Sequence, residues 1–165
     1  VTEAEATMAP DPAAYRTVLG HFATGVTVIT AVHGGEPVGL AANSFTSVSL
    51  DPPLVLFCAA KTSSTWPRIH SAGKFAVNIL GADQEDVCRL FAQKGADRFT
   101  QSGYRLSANG SPLLRDVLAY IDCTIESEHD AGDHVIVVGR VQELGITSDE
   151  GPLLFYRGGY GRLAV

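Results

Sequence analysis

The strand-forming stretches of this chain arrive as hairpins, not as alternating strand–helix–strand units, and that limits the architecture more than any other feature. Val26-Thr27-Val28-Ile29-Thr30-Ala31-Val32 is rich in β-branched residues and reads as a strand. The turn cluster His33-Gly34-Gly35-Glu36-Pro37 follows, which predicts a hairpin to a second strand over 38–48. Asp51-Pro52-Pro53 breaks that run, and the apolar stretch 54–59 starts another strand. Phe75 to Leu80 is a further one. Ala119, Ile121, Cys123 and Ile125 alternate with Tyr120, Asp122, Thr124 and Glu126, which predicts a strand with one face buried. Asp130-Ala131-Gly132-Asp133 turns the chain into a long strand from His134 to Leu144, and Pro152 to Arg157 is a short last one. Six or seven strands with two or three helices, joined in this way, predict a mainly β protein built as an antiparallel barrel with flanking helices.

The helices carry their own start signals. Asp11 caps and Pro12 opens a helix expected over 12–23 and ended by Gly25. Tyr15, Val18, Leu19 and Phe22 recur at helical spacing, so that face is expected to pack on the core. Residues 61–73 read as a loop leading into a short helix capped by a hydroxyl. Asp83, with Asp86 in capping-box position, starts a helix to about Lys94 whose apolar face is Val87, Leu90 and Phe91. Residues 95–116 read as loop with short pieces. Residues 1–10 read as a loose, flexible tail with no signal-peptide character, and 11–165 as one domain.

Composition excludes several function classes. The 165 residues carry a net charge of −6, and Arg16, Lys61, Arg68, Lys74, Arg89, Lys94, Arg98 and Arg105 are scattered. A nucleic-acid binder would show a basic stripe, so no nucleic-acid partner is expected, although a pocket for one or two phosphates is compatible. Cys58, Cys88 and Cys123 form no CxxC pair and are odd in number, which argues against a disulfide framework or a cysteine zinc site. No apolar run is long enough for a membrane helix, so the expectation is no membrane partner and a cytoplasmic location. HExxH is absent, and the five histidines show no ligand spacing, so no metal is expected. Nucleotide-binding glycine motifs of the Rossmann or P-loop type are also absent.

Three constellations remain. Val38 to Ser49 mixes apolar residues with Asn43, Ser44, Thr46, Ser47 and Ser49. These suit either an edge strand that satisfies its own polar groups or a strand facing a planar, hydrogen-bonding ligand. Lys61-Thr62-Ser63-Ser64-Thr65 offers charge, hydroxyls and free N–H groups at a helix start, which fits a phosphate or an ordinary cap beside a solvent lysine. Gly132-Asp133-His134 and Arg157-Gly158-Gly159-Tyr160 place a histidine and a tyrosine beside glycine turns, as ligand contacts or as packing.

Taken in order, these pieces resemble the flavin reductase-like family, the reductase partners of two-component flavin-dependent monooxygenases. The matching segments are Thr24 to Thr30, Gly39 to Ser49, Asp51 to Val55, Lys74 to Leu80, Gly132-Asp133-His134 and Tyr156 to Tyr160. The resemblance implies a split β-barrel homodimer that binds FMN or FAD near the subunit interface and takes hydride from NADH or NADPH. It implies flavin contacts from Ala41, Ala42, Asn43, Ser44, Thr46, Ser47 and Cys58, with phosphate contacts from Lys61, Ser63, Ser64 and Thr65. Arg89, Phe91 and Ala92, on one helix, would cover the far end of the flavin. His134 would position the nicotinamide, with Arg157, Gly158, Gly159 and Tyr160 on the same side. It also implies a separate oxygenase that receives reduced flavin. Ala41 departs from the threonine often found there, which removes a side-chain hydroxyl and leaves backbone contacts intact. A non-catalytic flavin carrier or sensor, or an oxidase on a related barrel, are the alternative readings.

Overall fold

In a computed structural model, residues 9–95 and 97–164 are described. The expected tail over 1–10 therefore lies almost wholly outside the described residues. In chain order the elements are α1 (Pro12–Leu19), β1 (Thr24–Gly25), β2 (Thr27–His33), β3 (Glu36–Ala42), β4 (Phe45–Ser49), β5 (Leu54–Ala60), α2 (Trp66–Ala72), β6 (Lys74–Ile79) and α3 (Glu85–Ala92). They continue with α4 (Arg98–Ser102), β7 (Tyr104–Leu106), β8 (Pro112–Leu114), β9 (Ala119–Ala131), β10 (His134–Ile146), β11 (Leu154–Tyr156) and β12 (Gly159–Gly161).

Seven strands form one antiparallel sheet in the order β3-β2-β6-β9-β10-β5-β4. Its two edges, β3 and β4, are consecutive in the chain and joined by Asn43 and Ser44 alone. Laid flat, the edges of a seven-stranded sheet would stand about 29 Å apart at the usual strand spacing. Three peptide units span at most about 11 Å. The sheet must therefore curl until its edges approach, which gives a split barrel. Register shifts between β9 and β10 at Val138/Gly139 and Val141/Glu143 mark irregularities that help such curling. Gly139 also lets the ring of Phe75 lie against the β10 backbone: a Cβ there would stand 2.5 Å from Phe75 Cζ.

The barrel is filled by Ile29, Phe57, Phe75, Val77 and Val137, with Trp66 and Ile69 of α2 packed against them. Phe57 meets Phe75 edge-on at 5.1 Å and Trp66 at 6.0 Å. A second cluster holds Val26, Val28, Leu80, Cys88, Phe91 and Phe99, and it fixes α3 and α4 to the outside of the barrel. The small sheet β1-β11-β12 lies beside that cluster and brings Thr24 opposite Phe155.

Several expectations change. The stretch 38–48 is not one strand: it breaks at Asn43-Ser44, and its second half pairs with β5 at the other edge. The first helix stops at Gly20, not Gly25, and its apolar face does not pack on the core. Tyr15 is 59% exposed, Val18 68%, Leu19 50% and Phe22 77%. The spacing correctly marks an apolar face, but periodicity does not say what covers it. Asp83 does not cap α3, because its carboxylate pairs with Arg162 at 2.6 Å; α3 runs only from Glu85 to Ala92. The alternation over 119–126 puts Asp122 outward, yet it is fully buried. The segment around residues 107–112 lies over that face, and Asn109 Nδ2 donates to Asp122 Oδ1 at 3.5 Å.

That cover is held by a buried polar knot. Asn78 Nδ2 donates to Val28 O at 3.1 Å and to Thr30 Oγ1 at 3.0 Å, while its Oδ1 accepts from Leu114 N–H at 2.8 Å. Thr30 Oγ1 donates to Pro112 O at 2.5 Å. Every residue of this knot is buried, so β8 is tied to β2 and β6 through groups water does not reach.

Candidate functional site

At the closing edge of the barrel is an open cleft of about 250 Å³. Ala41, Ala42 and Asn43 of the β3 edge line it, with Val26 beneath, Cys88 and Ala92 from α3, and Phe155 and Tyr160 from the β11–β12 hairpin. Two alanines keep the strand side flat, and two aromatic rings, 5.4 Å apart, stand opposite. The lining contains no His, Asp, Glu or Lys. A cleft of this kind can hold a flat ring by stacking and backbone hydrogen bonds; it offers no general base.

The polar groups of the closing edge divide by their partners. Thr27 Oγ1 donates to Ala42 O at 2.6 Å, so that carbonyl is occupied from inside the barrel. Ser44 Oγ donates to Cys58 O and accepts from Cys58 N–H, both at 3.1 Å, and so extends the pairing of β4 with β5 by one residue into the link. Thr46 Oγ1 donates to Ser47 O at 3.3 Å. Asn43, Ser44, Thr46 and Ser47 are exposed, while Ala41 and Ala42 are half-buried.

Tyr160 is fixed from two sides. Its hydroxyl lies 3.2 Å from Cys88 Sγ, and the Arg89 guanidinium sits 4.9 Å from its ring centre. The hydrogen bond with Cys88, then burial, pushes the phenol up to about 12. Burial raises the Cys88 thiol, partly offset by the Tyr160 hydroxyl and Arg89. Both groups are therefore protonated near neutrality and serve as neutral structure. Arg89 is itself held by Glu85 at 2.7 Å. Phe91 points inward: it packs on Phe99 at 5.0 Å and against Gly39, where a Cβ would stand 2.8 Å from Phe91 Cε1.

Lys61 lies three residues past Cys58, about 10 Å further along the chain at strand rise. Its ammonium pairs with Asp130 at 3.2 Å, and its N–H donates to Asp133 O at 2.9 Å. The His134 ring donates through Nδ1 to Asp133 Oδ1 at 2.7 Å, and that bond with its charge holds the Asp133 carboxyl below the usual range. Ser63 is the expected capping hydroxyl, accepting from Thr65 N–H at 3.2 Å and Trp66 N–H at 3.1 Å. Ser64 and Thr65 instead line a second cleft of about 380 Å³ with Gly39, Arg68 and Arg98.

The structure thus brings Ala41, Ala42, Asn43 and Tyr160 into one cleft, and groups Lys61, Asp133 and His134 with one another past the end of β5. Thr46 and Ser47 stand on β4, outside both clefts, and Arg157 and Gly158 form the β11–β12 turn with positive φ values of 50° and 78°. Sequence reasoning missed Val26, Cys88 and Phe155 as cleft residues, whereas Ala92 of α3 was expected over the ligand and does line the cleft. It also missed Arg98, whose guanidinium donates to Gly39 O at 2.9 Å, Phe91 O at 3.5 Å and Gln93 O, and so ties α3 to β3. Burial lowers its pKa. Among the described residues no group of His, Cys, Asp and Glu could hold a metal ion, and no helix is long and apolar enough to cross a membrane.

A barrel split at the Asn43–Ser44 link, with a flat, base-free cleft at the split, defines a class, and comparison with known proteins agrees. The flavin reductase like domain model matches residues 19–164, and this chain belongs to that family. It is 52% identical over 156 residues to a flavin reductase of Pseudomonas putida, covering 94% of this chain and 92% of that protein. It is 50% identical over 157 residues to the flavin-dependent monooxygenase reductase subunit HsaB of Rhodococcus jostii (strain RHA1), covering 95% and 80%. The solved structure of the Streptomyces globisporus C-1027 NADH:FAD oxidoreductase SgcE6, in complex with NAD and FAD fragments, superposes with a TM-score of 0.88 at 41% identity, covering 93% of each chain.

Proposed function

We propose that this chain is an NAD(P)H:flavin oxidoreductase that reduces FMN or FAD and passes the reduced flavin to a separate monooxygenase. The observation that carries this reading is the cleft at the split: flat on the Ala41–Ala42 side, aromatic on the Phe155–Tyr160 side and without His, Asp, Glu or Lys. When bound, the flavin supplies the hydride acceptor, its N5, for the C4 hydride of the nicotinamide. That transfer needs alignment rather than a proton shuttle, and alignment is what such a cleft offers.

The chain's own residues divide the work. Backbone groups at Ala41 to Ser44 hydrogen-bond the ring edge, and Tyr160, locked by Cys88 and Arg89, limits how far the ring can tilt. Ser64 and Thr65, with Lys61, receive the phosphate near the start of α2. His134, oriented by Asp133, positions the nicotinamide, helped by the turn at Arg157 to Gly159. Ligand sites for drug-sized molecules usually have about 300–1,000 Å³, so the cleft of about 250 Å³ takes the ring and not the whole cofactor. A second copy of the chain would complete the site. The exposed face of α1, with Tyr15, Val18, Leu19 and Phe22, supports such a homodimer. A monomer mass by light scattering at micromolar concentration would remove the dimer.

The deciding assay mixes the purified chain with NADH or NADPH and free FMN or FAD and follows loss of absorbance at the nicotinamide band. Flavin-dependent loss is expected. No loss with any pairing, together with tight flavin binding, would establish a carrier instead.

A further inference from the structure

Reduced flavin that serves another enzyme has to leave, and Lys61 carries a structural means of helping it to go. The argument rests on Lys61 being the phosphate ligand. Its ammonium is already engaged, 3.2 Å from Asp130 Oδ1. The two residues come from different strands, since Lys61 follows β5 and Asp130 stands on β9 opposite Val135 of β10. The base of the lysine is fixed by its N–H bond to Asp133 O. The Asp130 side chain, by contrast, is 86% exposed, so it can turn into water at little cost. Asp133 also feels the Lys61 charge, but its carboxylate is directed to the His134 ring at 2.7 Å, and the direct ion pair of the ammonium is with Asp130.

We propose that Asp130 is a competing counter-ion for Lys61. It pairs with the ammonium when no flavin phosphate is present and yields when one arrives, so every binding event breaks an ion pair and every release restores it. The competition lowers affinity for the phosphate end of the flavin and leaves recognition of the ring untouched. An exposed pair of this geometry shifts such an equilibrium by about 1.4- to 5-fold.

The test measures Kd for FMN and for riboflavin, which lacks the phosphate, by flavin fluorescence titration at fixed salt. Lys61→Met is expected to weaken FMN and leave riboflavin unchanged. Asp130→Asn is expected to tighten FMN about 1.4- to 5-fold, again with riboflavin unchanged, and to have no effect in the Lys61→Met background. If Lys61→Met changes neither flavin, or both equally, the phosphate role of Lys61 is wrong and the competition falls with it. If Lys61→Met is selective for FMN but Asp130→Asn leaves Kd unmoved, or moves it equally in the double variant, the lysine keeps its role and the competition is refuted.

Discussion

Asn78→Ala tests whether the buried knot between β2, β6 and β8 holds this fold as the geometry says. The side chain makes three hydrogen bonds, of 2.8, 3.0 and 3.1 Å, to buried partners. Deleting the amide removes two donated bonds, each with a net value of about 1 kcal/mol, and leaves the buried Leu114 N–H without its acceptor, at about 1–3 kcal/mol. The expected loss is about 3–5 kcal/mol, and at about 2–4 °C per kcal/mol for a chain of this size Tm should fall by about 6–20 °C. Urea unfolding gives the free energy and calorimetry the Tm. Asn78→Asp adds a second reading. It keeps the acceptor for Leu114 N–H but buries a carboxyl, whose pKa burial would raise above the unfolded value. Its contribution is then fully present below the unfolded pKa and is lost as pH rises, so this variant should sit nearest the parent at about pH 4 and furthest at pH 8. A loss under about 1 kcal/mol for Asn78→Ala, or equal destabilisation of Asn78→Asp at both pH values, would refute the reasoning.

Gly139→Ala drives a Cβ to 2.5 Å from Phe75 Cζ and 3.1 Å from Cys123 Cβ; overpacking of this kind costs about 1–3 kcal/mol by urea unfolding, while Gly25→Ala, which meets nothing within 4 Å, serves as the control. Burial pushes the Cys123 thiol up to about 12; a pKa raised on folding gives stability that is present below about pH 9 and lost as pH rises toward 12, so Cys123→Ala should flatten the alkaline limb of the stability profile. Native protein at pH 8 should label with a thiol reagent at half-buried Cys58 alone, and at all three cysteines in denaturant; rapid native labelling at Cys88 or Cys123 would contradict their burial. His134→Ala should raise KM for NADH far more than KM for flavin, and an unchanged KM for NADH would take His134 out of the site.

Strands were legible because β-branched runs and turn clusters are local signals: β2, β5, β6 and β10 lie close to where the sequence puts them. The break at Asn43-Ser44 was not, because the pairing of β4 with β5 is decided by closure of the whole sheet. Asp122 shows the same limit. Alternation assigns a face, but only the distant 107–112 segment determines whether that face is wet. In the site, Ala41 to Asn43 and Tyr160 were readable because they fall in contiguous motifs. Val26, Cys88 and Phe155 were not, since they come from three separate stretches that meet only in the folded chain. Arg98 gives no local sign either, because its three carbonyl partners lie up to 59 residues away.

The hairpin that carries Phe155 and Tyr160 is anchored by β1, so residue 24 must find residue 155, and Arg157 N–H must find Gly20 O. These are among the longest loops the chain closes, and long-range pairings form late because their closure entropy comes before any contact rewards it. The barrel can therefore be complete while the aromatic wall of the cleft is still open. During refolding, burial of Phe57 and Phe75 should precede the return of catalytic competence, with activity lagging behind the fold.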